Sequence, residues 1–197
     1  ESLCRGDSSV GTCLSMAGYG AGLILGYGSE TQKTEWLPRV AQGKILSSMA
    51  LTEPGLGSNL EKLTTLAVKQ GDQWVITGRK TFVMNSGPLS GFYLVLCRTD
   101  LDAVSPENAF STILVEAGQE GATLADVGSR LGRRLMAVSD VTFDKVCVPI
   151  DNLVGKENKG LAQVNACLDE NRILAAARAL GIALGAFDRS LAYVKQR

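Results

Sequence analysis

The segment Met49–Asn59, with the sequence MALTEPGLGSN, holds the residue types best suited to binding a small ligand. A predicted strand ends in a loop with two closely spaced glycines, Gly55 and Gly57, between the hydroxyls of Thr52 and Ser58. Glycines let a backbone approach a planar or anionic ligand and expose N–H donors to it. The loop lacks the Lys-Ser/Thr of a Walker loop, and no helix follows it as a dinucleotide fingerprint requires. Taken alone, the pattern favours a simple Gly-Pro turn leaving a strand.

Composition excludes several kinds of site. The chain has 197 residues and no histidine, so a Ser-His-Asp or Cys-His site within it is excluded. Its 20 Lys+Arg balance 20 Asp+Glu, which argues against a nucleic-acid partner or an anionic membrane surface. The 5 cysteines show no CxxC spacing, so we expect neither a metal site nor a disulfide framework. The most apolar stretch, residues 21–27, is far shorter than the ~20 residues of a membrane span.

The first forty residues have a helical pattern. Apolar residues recur at steps of three and four from Val10 to Leu25, which predicts one apolar helix face. Ser29 and Gln32 form a capping box for a second helix, which we expect to end through Pro38 and Gly43. This opening is predicted to be a helical hairpin.

Short β-rich runs separated by turn residues follow from Leu46. Because no helices intervene, they predict an antiparallel β-barrel or sandwich, and Gln70–Gln73 is typical of a hairpin turn. Residues 100–108 are predicted to form a surface loop. The predicted strands are Leu46–Leu51, Thr64–Gln70, Trp74–Thr77, Thr81–Met84, Phe92–Arg98, Phe110–Glu116 and Val138–Val148.

A long amphipathic helix is predicted after Pro149. Its apolar face runs from Ile173 to Val194 and needs a helical bundle to bury it. The chain starts at Glu1 without Met and stops at Arg197 within this pattern, so we expect a piece of a longer protein. The expected organisation is the end of an N-terminal helical domain (1–45), a middle β domain (46–155) and the first helix of a C-terminal bundle (156–197).

Six ordered motifs along the chain resemble the acyl-CoA dehydrogenase family. The resemblance covers nearly all of the sequence and implies an α+β multi-domain fold with a middle β domain flanked by helices. The motifs are GSETQK with WLP (28–38), ALTEPGLGS (50–58), GDQWVITGRK with FVMN (71–85), FDKVCVP (143–149), NLVG (152–155) and LDENR (168–172).

The resemblance implies FAD as cofactor and an acyl-CoA as substrate. Ser58 would face the CoA portion, Phe82 would pack on the flavin, and Arg197 would bind the flavin pyrophosphate. Without the resemblance, Phe82 could equally be core and Arg172 a solvated side chain. The implied flavin-binding residues are Met49, Leu51, Thr52, Gly57, Ser58, Phe82, Val83, Met84 and Arg197. The implied substrate-binding residues are Ser58, Asp169 and Arg172.

Three positions depart from the family pattern. Met84 stands where a Ser or Thr usually lies against flavin N5, and methionine donates no hydrogen bond there. Asn59 replaces the usual Asp after Gly-Ser, which changes only local charge. Asn171 replaces a catalytic Glu found in a minority of the family, and Glu170 points about 100° away on a helix. No catalytic residue is therefore expected within the chain, and the general base, a Glu, is expected beyond Arg197.

The activity implied by the resemblance is α,β-dehydrogenation of an acyl-CoA to a 2-enoyl-CoA in fatty acid or amino acid catabolism. Electrons would pass to an electron-transferring flavoprotein, and the protein would be a homotetramer or dimer of the bacterial cytoplasm or mitochondrial matrix. The 197 residues alone are expected to be inactive. A flavin-dependent oxidase or hydroxylase on the same fold is the alternative, and a non-catalytic binding protein is less favoured.

Overall fold

A computed structural model describes residues 1–197 as one mixed β-sheet with helices against one of its faces. The helices are α1 (Ser2–Gly6), α2 (Ser8–Met16), α3 (Ala21–Tyr27), α4 (Glu30–Ala41) and α5 (Gly160–Val194). The strands are β1 (Leu46–Ala50), β2 (Leu66–Gln70), β3 (Gln73–Met84), β4 (Ser90–Arg98), β5 (Phe110–Glu116), β6 (Ala122–Asp126), β7 (Val138–Pro149) and β8 (Leu153–Val154).

The sheet confirms the α+β class, but it is open and does not close into a barrel. The strand order is β6-β7-β3-β2-β4-β5-β8, with β1 beside β4. Most pairs are antiparallel, whereas β1 and β2 both run parallel to β4. The antiparallel prediction fails there because residues 51–65 carry the chain from β1 to β2 by a long connection, not a hairpin. The predicted hairpin is present: Gln70 pairs with Gln73, and Gly71 adopts a φ of +62°.

β4 is buried on both faces and divides the core. Phe92, Leu94 and Leu96 pack toward α3, α4 and α5. Tyr93 and Val95 point to the opposite side, where they pack against residues of β3 and β7. Because successive side chains of a strand alternate between its faces, a strand buried on both faces has an unbroken apolar run.

The N-terminal region differs in detail from the predicted hairpin. It forms four short helices, and the capping box of Ser29 and Gln32 is confirmed at the start of α4. Pro38 lies inside α4 and does not end it, because the backbone hydrogen bond from Gln42 to the Pro38 carbonyl continues the turn. By length and hydropathy, Ser8–Tyr27 passes for a membrane-crossing helix. The structure divides this segment into α2 and α3.

The long C-terminal helix is confirmed as α5, with 35 residues. Its predicted apolar face is largely exposed, with Ile173 at 73% and Phe187 at 63% exposure. The side that packs on α1 is marked by glycines instead: a Cβ at Gly181 or Gly185 would overlap the carbonyl oxygen of Glu1 or Arg5. An ion pair of 2.6 Å between Arg5 and Asp188 accompanies this contact.

Candidate functional site

The loop that follows β1 is built around a tight turn at residues 53–56. The Glu53 N–H donates to the Leu56 carbonyl at 3.1 Å, and the Leu56 N–H donates back at 2.9 Å. Pro54 supplies the fixed φ of the second turn position and Gly55 the positive φ of the third, +79°. This sequence and geometry are those of a type II turn. The glycine is therefore required by the turn itself.

The Glu53 side chain anchors this turn to the connection that enters β2. Glu53 is 3% exposed. Its carboxylate accepts hydrogen bonds from the Thr64 N–H and the Thr65 N–H, each at 2.8 Å. The Thr64 hydroxyl adds a third bond at 2.7 Å. A buried carboxylate needs such donors because removal from water otherwise disfavours its charge.

Lys80 of β3 completes a buried ion pair beneath the loop. Its Nζ lies 3.0 Å from Glu53 Oε1 and 3.0 Å from the Leu51 carbonyl oxygen, with no exposed side-chain surface. Burial alone would raise the pKa of Glu53, but Lys80 and the threonine hydrogen bonds together lower it to about 2. Burial lowers the pKa of Lys80 and raises the pKa of nearby Cys97 to about 12. Lysine and carboxylate therefore form a fixed charge pair below the loop.

Several polar groups of the loop have no hydrogen-bond partner within the protein. The Thr81 N–H of β3 donates to the Thr52 carbonyl at 2.8 Å, which fixes Thr52 beside that strand. The backbone N–H groups of Thr52, Gly57 and Ser58 donate to no protein acceptor, and the two hydroxyls likewise lack a partner within the chain. Gly57 and Ser58 are exposed, so these N–H groups are accessible to a polar, planar or anionic ligand.

Phe82 lies next to this loop on a β-bulge. Lys80 pairs with Val141 and Val83 with Ser139, so β3 has one residue more than β7 between these pairs. Phe82 has a φ of +52° and is 60% exposed. For a bulky residue the left-handed region costs on the order of 1–3 kcal/mol and is common near functional sites. The structure therefore has this aromatic ring outside the core.

Asp140, the residue of β7 opposite the bulge, binds three groups of β3. Its Oδ1 accepts from the Thr81 hydroxyl and from the Phe82 N–H, the latter at 3.3 Å. Its Oδ2 lies 2.6 Å from Arg79 Nη2. The hydrogen bond from Thr81, with smaller contributions from Arg79 and the Phe82 amide, lowers the pKa of Asp140. The carboxylate is thus the acceptor that the interrupted ladder lacks.

The remaining predicted flavin-binding residues differ in burial. Met49 and Val83 are 4% and 1% exposed, so their side chains belong to the core. The half-buried Met84 packs against an apolar cluster that includes Met16 and Met136.

Two of the predicted substrate-binding residues share a cavity of about 420 Å³. Ser58 reaches it from the loop and Arg172 from α5. Asp169 forms an ion pair with Arg172 one turn away and does not line the cavity. The Asn171 amide donates to the Cys167 carbonyl at 2.8 Å, as part of the helix surface. Glu170 is exposed and forms no hydrogen bond.

Arg197 lies far from this cavity. It follows the end of α5, and at ~1.5 Å per residue the helix carries Val194 about 33 Å beyond Arg172. Its guanidinium stacks 5.4 Å from the centre of the Tyr193 ring. Within one chain, Arg197 and Arg172 cannot touch the same small group.

Sequence reasoning assigned no role to Lys80, Glu53 or Asp140. A signal for Lys80 exists, since it continues the inward-facing alternation of Trp74 and Ile76 and is the charged member of that row. A charged residue at an inward position indicates a buried partner. Asp140 gave no such signal, because it lies in the polar row of β7 with the exposed Thr142 and Asp144.

Comparison with known proteins gives consistent matches. Residues 48–146 match the family model "Acyl-CoA dehydrogenase, middle domain", and residues 1–44 match "Acyl-CoA dehydrogenase, N-terminal domain". The chain is 36% identical over 177 residues to the short-chain specific acyl-CoA dehydrogenase of Clostridium acetobutylicum, covering 90% of this chain and 46% of that relative.

Two solved structures are also similar. Butyryl-CoA dehydrogenase from Megasphaera elsdenii superposes with a TM-score of 0.90 at 31% identity, covering 98% of this chain and 50% of that one. A glutaryl-CoA dehydrogenase from Mycobacterium smegmatis in complex with FADH2 gives 0.89 at 31% identity, covering 99% and 48%. The chain spans about half the length of the relatives it matches.

Proposed function

The chain belongs to the acyl-CoA dehydrogenase family, and on that premise we propose that the protein carries out flavin-dependent α,β-dehydrogenation of an acyl-CoA thioester. The observation that carries the proposal is the loop of residues 51–58. It is held from below by the buried Lys80–Glu53 pair and leaves the N–H groups of Thr52, Gly57 and Ser58 unpaired.

The residues around this loop fit a flavin. The pyrimidine edge of the isoalloxazine alternates hydrogen-bond donors and acceptors, which the Leu51 and Thr52 N–H groups and the Thr52 hydroxyl would complement. The exposed Phe82 ring and the half-buried Met84 offer apolar contact to a planar ring system. When bound, FAD supplies the hydride acceptor for the reaction. Gly57 and Ser58 would bind its polar parts, and Met49 and Val83 would support the loop and the bulge from the core.

The cavity between Ser58 and Arg172 is the proposed site of the CoA arm. Arg172 brings a cation to a polyanionic ligand, and the paired Asp169 fixes its orientation. Ser58 lies both on the loop and in this cavity, so it connects the flavin site with the thioester site. Acyl substrate placed between them would be shielded from water, which strengthens hydrogen bonds to the thioester carbonyl.

The carboxylate that removes the α-proton is proposed to come from outside residues 1–197. Asn171 is an amide whose NH2 is engaged with the Cys167 carbonyl, and an amide accepts no proton usefully near neutral pH. Glu170 is exposed on α5. The 197 residues taken alone are accordingly proposed to be inactive as a dehydrogenase.

Further proposals concern partners. An electron-transferring flavoprotein is the proposed electron acceptor, and the proposed assembly is a homotetramer or dimer. Arg197, about 33 Å along α5 from the CoA cavity, would bind a flavin pyrophosphate that does not belong to the site of its own Arg172. The proposed locations are those of the family, the bacterial cytoplasm or the mitochondrial matrix.

One observation favours a second candidate, a flavin-dependent oxidase or hydroxylase. Met84 offers no hydrogen bond to flavin N5, and the surrounding cluster with Met16 and Met136 is apolar. Such an environment would alter the stabilisation of the reduced flavin and therefore its reactivity with oxygen.

The test is spectroscopic. The purified protein should bind FAD. Addition of an acyl-CoA should bleach the oxidised flavin band of a protein that includes the general base, but not that of residues 1–197 alone. Reduction of a dye acceptor without hydrogen peroxide supports the dehydrogenase, whereas peroxide or a hydroxylated product supports the second candidate. Failure to bind FAD contradicts both and supports a non-catalytic binding protein.

A further inference from the structure

The bulge at Thr81 and Phe82 decides which side chains of β3 are buried. In regular alternation, the buried Lys80 would be followed by an exposed residue and then by a buried Phe82. The observed order is Lys80 buried, Phe82 exposed and Val83 buried. The extra residue therefore turns the Phe82 ring out of the core and returns Val83 to it.

A bulge of this kind needs support. It interrupts the ladder between β3 and β7, so Phe82 has no paired residue on β7. Its φ of +52° is also disfavoured for an aromatic residue. One carboxylate oxygen, Asp140 Oδ1, accepts from both the Phe82 N–H and the Thr81 hydroxyl. A regular β pairing would leave Oδ1 without these two donors.

The bulge is also joined to the loop. The N–H of Thr81, whose hydroxyl binds Asp140, donates to the Thr52 carbonyl at 2.8 Å. A contact on β7 is thereby transmitted through Thr81 to the loop of residues 51–58. Arg79 binds only the other oxygen, Oδ2, and its side chain is 55% exposed.

We propose that Asp140 is a positioning residue: Oδ1 holds Thr81 and Phe82 in the bulge that turns the Phe82 ring out of the core on the strand segment bonded to Thr52. The consequence for ligand binding rests on the proposed function, in which Phe82 packs on the flavin. The geometry of the bulge itself does not depend on it.

The variants separate the acceptor atom from the charge. Asp140→Ala removes both, Asp140→Asn keeps an Oδ1 acceptor, and Arg79→Met removes only the outer ion pair. We expect Asp140→Ala to speed amide hydrogen exchange at Thr81–Met84 by about tenfold or more and to weaken FAD binding by a similar factor. Asp140→Asn and Arg79→Met should both stay within about twofold of the parent protein.

The outcomes are decisive in each direction. An Asp140→Ala protein with parental exchange at Thr81–Met84, or an Asp140→Asn protein as impaired as the alanine variant, overturns the proposal. If Asp140→Ala does not fold, Asp140→Ala/Phe82→Gly tests it, because glycine adopts a positive φ without strain. We expect this double variant to fold, and its failure to fold contradicts the proposal. If the parent protein does not bind FAD, the proposed function fails, while the exchange experiment still decides the role of Asp140.

Discussion

Lys80 and Glu53 form a charge pair that is almost wholly removed from solvent, with 3.0 Å between Nζ and Oε1 and side-chain exposures of 0% and 4%. The same Nζ binds the Leu51 carbonyl, and the same carboxylate binds Thr64 and Thr65. One ion pair thus joins β3, the loop after β1 and the entry to β2. Both charged groups therefore have hydrogen-bond partners within the protein.

Replacing Lys80 with Met should lower the free energy of unfolding by about 3–5 kcal/mol, because it leaves the Glu53 charge buried without its counterion. Lys69→Met is the matched control. Its ion pair with Glu157 has 45% and 38% side-chain exposure, so its loss should cost less than about 1 kcal/mol. Urea unfolding of the two variants measures the difference, and equal losses would contradict the role assigned to the buried pair.

Stability should fall at acid pH in a way that depends on Glu53. Its pKa in the folded protein is about 2, below the usual 4.5, so the folded state binds this proton less readily than the unfolded chain. The resulting stabilisation, about 3 kcal/mol, is present above pH 4.5 and is lost as the pH falls toward 2. Glu53→Gln should lack this component. Across that range, the free energy of unfolding of the variant should therefore depend less steeply on pH than that of the parent. Equal slopes would contradict the low pKa assigned to Glu53.

Replacing the glycines of α5 that contact α1 with larger residues should destabilise the protein. A Cβ at Gly181 would overlap the Glu1 carbonyl oxygen and come within 3.0 Å of Cys4 Cβ. Gly181→Ala should therefore destabilise the protein by about 1–3 kcal/mol, although alanine favours a helix by ~1 kcal/mol. Gly26→Ala in α3 is the control, because no atom lies within 4 Å of the position that its Cβ would take and the change should be neutral or stabilising. Thermal unfolding of both variants provides the measurement.

Phe82 should show opposite effects on stability and on binding. Glycine accepts the φ of +52° without strain, so Phe82→Gly should raise the free energy of unfolding by about 1 kcal/mol. The same change removes the exposed ring proposed to contact the flavin, and FAD should bind more weakly. Thr77→Gly, at an exposed position of the same strand, should be destabilising. A Phe82→Gly protein less stable than its parent would show that the ring, and not the backbone strain, dominates.

Local patterns predicted much of the fold. The β5 bounds of Phe110–Glu116, the capping box at Ser29 and the hairpin at Gly71 were all indicated by residue type and spacing. Two strands escaped prediction. β6 has mostly exposed side chains and β8 has two residues, so neither has an apolar alternation to detect. β3 was predicted as two runs because its register shifts interrupt the alternation within one strand.

The local geometry of the candidate site could be predicted for the turn at residues 53–56, whereas its tertiary contacts could not. The Pro54-Gly55 turn is a local feature that its sequence specifies. The contact of Asp140 with Phe82 joins positions 58 residues apart, and that of Lys80 with Glu53 joins positions 27 apart. Such contacts depend on the pairing of β3 with β7 and on the path of the loop, which no single segment encodes.

The packing of α1 against α5 has a consequence for the order of folding. Arg5 and Asp188 are separated by 183 positions, so α1 docks on a helix that is synthesised long after it. At roughly 5–20 residues per second of synthesis, α1 waits about 10–40 s for its partner. Closing so long a loop is entropically costly until the strands that separate the two helices in sequence have formed the sheet. During biosynthesis α1 should therefore become protected only after α5 has been made, although it is synthesised before every strand of the sheet.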